Sequence, residues 1–117
     1  AVVVTGAGRA FCAGADISGG TKGFVDVEKR KVGDGIVRDG GGLLTLRVFD
    51  SLKPVIAAVN GAAIGVGATM QLPMDMRLAS EDAKFGFVFG RRGIVPEACS
   101  SWFLPICLGP RRNWPRK

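Results

Sequence analysis

A chain of 117 residues with 47% apolar side chains can bury the core of one domain and no more. Four of its six net positive charges come from Arg111, Arg112, Arg116 and Lys117 at the C-terminal end, so no basic stripe interleaved with aromatics runs through the body and no nucleic acid is expected as a partner. There is no histidine, and Cys12, Cys99 and Cys107 form no C-x-x-C pair; this argues against a metal site, removes Ser–His and Cys–His mechanisms, and leaves acid–base work to a carboxylate.

Ala1-Val2-Val3-Val4-Thr5 reads as a β-branched, buried-strand run, and no signal peptide is expected before it. Gly6-Ala7-Gly8-Arg9 ends that strand. A glycine turn after a first strand invites a dinucleotide fingerprint, but Ala10-Phe11-Cys12 stands where further glycines are needed, and no acidic residue closes a second strand. Phe11 to Ile17 is a run of small residues between apolar ones, which either exposes backbone N–H groups or forms a packed turn. Gly19 to Gly42 carries no sustained period and reads as a loop and a short helix, whereas Leu43 to Leu52 has helical spacing and stops before Lys53-Pro54.

Lys53 to Gly67, KPVIAAVNGAAIGVG, is the stretch around which the rest is arranged. Val55 to Val59 reads as a buried strand, Asn60-Gly61 as the turn that ends it, and Gly65 and Gly67 as points where backbone can approach a ligand. A helix from Ala68 to Leu72, stopped by Pro73, would aim unpaired N–H groups at that ligand. The uncharged run from Pro54 to Met74 and its Gly61-x-x-x-Gly65 spacing also fit a membrane helix, against which stand Asn60, Thr69, Gln71 and the glycines; no membrane span is expected.

Met76 to Ala79 reads as a further strand and Ser80-Glu81-Asp82 as a turn. Phe85, Phe87 and Phe89 alternate, which predicts an extended segment with its aromatics on one face, and Arg91-Arg92-Gly93 an exposed turn. Glu97 is a lone carboxylate between Ile94-Val95-Pro96 and Trp102-Phe103-Leu104. Such a glutamate either caps a helix or has a raised pKa suited to proton transfer.

Three of these segments, RAFCAGADI (Arg9 to Ile17), Lys53 to Gly67, and GIVPEACSSWFLP (Gly93 to Pro105), occur in the order found in the crotonase (enoyl-CoA hydratase/isomerase) superfamily. The resemblance implies an α/β, crotonase-like (ClpP/crotonase) ββα spiral core, truncated at both ends, with residues 1–109 as a partial core domain and residues 110–117 as a basic tail that does not resemble the family. It implies an acyl-CoA substrate, which the positive charge would help to hold, and no cofactor beyond the coenzyme A thioester itself. The thioester oxygen would be held by the backbone N–H groups of Ala15 and Val66; Ala13, Gly14, Ala15, Asp16, Ile17, Ser18, Gly65 and Gly67 would line the substrate and CoA site.

The two glutamates of the family's hydratases fall at Thr69 and Phe89 here, neither of which is a base. Glu97 matches the single catalytic carboxylate of Δ3,Δ2-enoyl-CoA isomerases, and double-bond migration needs only that base and the oxyanion hole. The alternative is a catalytically silent crotonase-like fragment that binds CoA or a partner subunit, with little turnover because pocket walls are missing. Full-length relatives are expected as homotrimers or hexamers, and the location as intracellular: cytoplasmic in a bacterium, peroxisomal or mitochondrial in a eukaryote.

Overall fold

A computed structural model describes residues 1–16, 35 and 38–109. Two three-stranded parallel sheets organise it. The first consists of β1 (Val2–Thr5), β3 (Val55–Val59) and β5 (Met76–Ala79), in the order β1-β3-β5. The second consists of β2 (Ala10–Cys12), β4 (Ala62–Ile64) and β6 (Lys84–Gly86), in the order β2-β4-β6. Each strand of the first sheet therefore turns into its successor in the second, and each such pair lies beside the previous one. Parallel neighbours cannot be joined by a hairpin, so a longer connection must return the chain. That role falls to α1 (Gly40–Phe49) before β3 and to α2 (Val66–Thr69) before β5.

The β-branched runs pair in the first sheet as expected, with Val2 opposite Val55, Thr5 opposite Ala58, Ile56 opposite Met76 and Val59 opposite Ala79, but β1 is not the buried strand expected of it: it lies at the sheet's edge and only Val4 is half-buried. The central strand β3 alternates buried and half-buried residues, and its Val55, Ala57 and Val59 meet Phe11, Ala63 and Met74 in the core. Asp75 fixes the register at the strand's start: its Oδ2 accepts from the Val55 N–H at 2.8 Å, and its own N–H donates to the Val55 carbonyl. Asn60 fixes the other end, where its Oδ1 accepts from the Gly6 N–H at 2.9 Å and its Nδ2 donates to the Gly8 carbonyl at 2.6 Å. One amide thus joins two successive strand-to-strand turns.

Four details differ from the sequence expectation. Ala10–Cys12 and Ala62–Ile64 are strands, not turns, because three short strands pairing side by side satisfy backbone groups that none could satisfy alone. The Phe85–Phe89 alternation does not hold: β6 ends at Gly86, Phe89 is helical at φ −57°, ψ −49°, and only Phe89 is buried, with Phe87 edge-on against it at 6.5 Å. Helix α1 begins at Gly40, before Leu43, because Asp39 caps it. Helix α2 begins at Val66, before Ala68, directly after Gly65. The predicted turn at Arg91-Arg92-Gly93 is present as a 3-10 turn, Gly90–Arg92, closed by left-handed Gly93.

A third helix, α3 (Ser100–Leu108), packs against α1 through Phe49 and Phe103, whose ring centroids are 5.3 Å apart. Pro54 to Met74 is strand, turn, strand and short helix, and no described helix is long and apolar enough to cross a membrane.

Candidate active site

Strands β2 and β4 run parallel and leave the second sheet at the same end, each into a glycine turn. Gly14 takes φ 96°, and a Cβ added there would lie 2.9 Å from the Ile64 carbonyl oxygen. Gly65 takes φ 57°, ψ −122°, a conformation for glycine, and a Cβ built on it would stand 4.0 Å from the Gly14 Cα. The two small-residue turns singled out in the sequence are thus in contact. Ala13, Ala15 and Asp16 are exposed around Gly14; Ile17 and Ser18 lie outside the described residues. Val66 is the first residue of α2, where a backbone N–H has no partner inside its own helix. Gly67 lets that helix settle on β2: a Cβ there would overlap the Cys12 carbonyl oxygen.

Glu97 reaches the same helix. Thr69, with no exposed surface, donates its hydroxyl to Glu97 Oε1 at 3.2 Å while lying 3.3 Å from the Gly65 carbonyl oxygen. Glu97 is half-buried, and its Oε2 occupies the space over Gly41, 2.8 Å from where a Cβ would stand. Loss of solvent and then the neighbouring Asp39 charge raise the Glu97 carboxyl above its ordinary 4.5, against the smaller pull of the Thr69 hydrogen bond.

The helix-cap reading of Glu97 does not hold. The N-cap of α3 is Cys99 and makes no side-chain cap bond; Glu97 contributes only its carbonyl, which accepts from the Ser100 N–H at 3.0 Å. The cap residue is Asp39, and it caps α1. Its Oδ1 accepts from the Gly41 N–H at 3.1 Å and its Oδ2 from the Gly42 N–H at 2.8 Å. Sequence reasoning passed over Asp39 inside the uninformative Gly19 to Gly42 stretch, although an aspartate just before a helical pattern is a start signal. The two places that the resemblance gives to hydratase glutamates behave differently: Thr69 touches Glu97, and Phe89 is buried against Phe87.

A family model described as enoyl-CoA hydratase/isomerase matches residues 1–113. The chain belongs to that family. It is similar to the enoyl-CoA hydratase ACTT3 of Alternaria alternata, 48% identical over 108 residues that cover 92% of this chain and 34% of that protein. It is also similar to the 1,2-epoxyphenylacetyl-CoA isomerase of Escherichia coli, 35% identical over 117 residues, covering 95% of this chain and 42% of that one. Among solved structures, an enoyl-CoA hydratase from Polaromonas sp. superposes with a TM-score of 0.72 at 31% identity, over 93% of this chain and 41% of the other. The fold is therefore the crotonase-like α/β spiral, and the chain spans 34% to 42% of the length of these relatives.

Proposed function

We propose that this segment, with residues 1–109 as its core domain, carries the catalytic centre of an enoyl-CoA isomerase that moves the double bond of a 3-enoyl-CoA to the 2-trans position. Glu97 takes the proton from C2, the electron pair spreads into the thioester as a dienolate, and the same carboxyl returns the proton at C4. The Ala15 and Val66 N–H groups hold the thioester oxygen while it carries negative charge, a contribution of several kcal/mol for a preorganised pair. Ala13 to Ser18, Gly65 and Gly67 line the acyl-CoA site.

The observation that carries this reading is the Thr69–Glu97 hydrogen bond, because it puts a carboxyl with a raised pKa on the helix whose first N–H is that of Val66. A raised pKa brings a carboxylate closer to the basicity that proton abstraction requires. The Thr69 hydroxyl suits both states of the base. It donates to the carboxylate, and it can turn to the Gly65 carbonyl and accept from the protonated acid. The enoyl-CoA hydratase names among the relatives make hydration the reading to test against.

The experiment is Glu97→Gln in a family-length protein carrying this segment, assayed by the absorbance of the conjugated 2-enoyl thioester. The expected loss in kcat is about 10²-fold or more, the scale of general acid–base catalysis, with acyl-CoA binding kept. An unchanged isomerisation rate would refute the assignment, and hydration of 2-enoyl-CoA without isomerisation would replace it by a hydratase.

A further inference from the structure

The segment Asp39-Gly40-Gly41-Gly42 is a poor way to begin a helix, since glycine is among the weakest helix formers, yet α1 starts on it. Its carboxylate does more than cap. Besides Gly41 and Gly42, Asp39 Oδ2 accepts from the Ala98 N–H at 2.8 Å, across 59 residues of chain. Ala98 and Cys99 both sit in the left-handed region, at φ 56° and 53°, which side chains with a Cβ adopt only when their surroundings impose it. Ala98 immediately follows Glu97, whose Oε2 rests over the bare backbone of Gly41. Three N–H groups from two distant segments therefore converge on one carboxylate beside the candidate base.

We propose that Asp39 is the positioning residue of Glu97: it ties the start of α1 to the strained Ala98–Cys99 turn and so holds the Glu97 carboxyl over Gly41, against α2. The inference rests on the reading of Glu97 as the base. Two features of the site agree with it. Phe49 against Phe103 already joins α1 to α3 farther along, so the Asp39 bond is the second of two ties and sets the angle of the turn between them. The groups that face Glu97 are Asp39 at the start of α1 and Thr69 from α2; of these, Asp39 is the one whose charge raises the Glu97 carboxyl.

Two substitutions separate positioning from simple capping. Asp39→Asn keeps one oxygen, which in the Oδ2 place still accepts from the Gly42 and Ala98 N–H groups, but removes the charge and the acceptor for the Gly41 N–H; Asp39→Ala removes cap, tie and charge together. Two readouts are taken: the titration of the Glu97 carboxyl by carbon NMR in this chain, and kcat and KM for 3-enoyl-CoA in a family-length protein. Asp39→Asn is expected to lower the pH at which Glu97 titrates, and Asp39→Ala to cost about 10²-fold in kcat with KM little changed, the scale of a misplaced reacting group. If both variants lose stability but leave the Glu97 titration and kcat where they were, Asp39 is a helix cap and the proposal is overturned. Should Glu97→Gln prove fully active, the base lies elsewhere. The NMR arm then decides alone: a shifted Glu97 titration in Asp39→Asn upholds the coupling, and an unshifted one removes it.

Discussion

Gly67→Ala is the substitution with the largest consequence for its size. Gly67 is the second residue of α2 and is buried. A methyl there would overlap the carbonyl oxygen of Cys12 and stand 2.8 Å from its Cβ and 3.0 Å from its carbonyl carbon, where ordinary contacts begin at 3.4 Å. The gap must open by about 0.4 Å even at the mildest of these contacts and by more at the carbonyl oxygen, and the opposing atoms belong to β2, which pairs with β4 at Cys12 and Ala63. The helix has little freedom to retreat, because the buried Gln71 side chain donates to the Gly67 carbonyl at 2.6 Å. Overpacking costs typically 1–3 kcal/mol, and about 1 kcal/mol returns through alanine's better helix propensity. An overlap with a backbone oxygen belongs at the upper end of that range, so the net expectation is a loss of about 2 kcal/mol, which lowers the folding equilibrium constant roughly 30-fold. Urea unfolding followed by far-ultraviolet circular dichroism measures it as a drop in midpoint of about 1 M for a domain of this size. Gly8→Ala, where nothing lies within 4 Å of the added carbon, is the control and should leave the midpoint nearly unchanged. A Gly67→Ala chain as stable as the parent, or more so by the helix-propensity difference alone, would refute the close packing of α2 on β2 and with it the argument for where Val66 sits.

Two further outcomes follow from Gly41 and Glu97. Gly41→Ala would set a methyl 2.8 Å from Glu97 Oε2, 3.1 Å from the Ala98 Cβ and 3.2 Å from Asp39 Oδ2, so the carboxyl must leave; kcat is expected to fall about 10²-fold, while the gain of about 1 kcal/mol in helix propensity is offset by the tight contacts, and equal activity in that variant would contradict the geometry. The raised Glu97 pKa carries a stability consequence of definite sign. The folded chain binds this proton more tightly than the unfolded one, so the contribution is fully present below 4.5 and is lost as pH rises through the higher folded value. Glu97→Gln, which cannot ionise, should therefore gain stability over the parent at neutral pH and not in acid; a difference in urea midpoint that stays flat with pH would show that the carboxyl is not raised.

The first sheet was legible in the sequence because its evidence is local. Val2 to Thr5 and Val55 to Val59 carry β-branched residues in runs bounded by turn residues, and Asn60-Gly61 can do little else than turn. Glu97 was legible as a candidate base because no histidine competes with it and the resemblance puts Thr69 and Phe89 where other bases would be. The second sheet was not. Ala10–Cys12 and Ala62–Ile64 are too short and too poor in β-formers to declare themselves, and they are strands because each finds a parallel neighbour. The alternation of Phe85, Phe87 and Phe89 misled for the converse reason: the chain turns helical at Phe89, and burial there overrides the period. The role of Glu97 between cap and base was likewise open in the sequence, since apolar flanks fit both. The folded chain removes the cap alone: Cys99 stands at the N-cap of α3, and Glu97 turns its carboxyl to Thr69 and to the space over Gly41 instead. Local propensity and turn chemistry are properties of neighbouring residues and can be read along the chain; the partners of a short strand or of a half-buried carboxyl are chosen by the packing of distant segments, which exists only once the chain has folded.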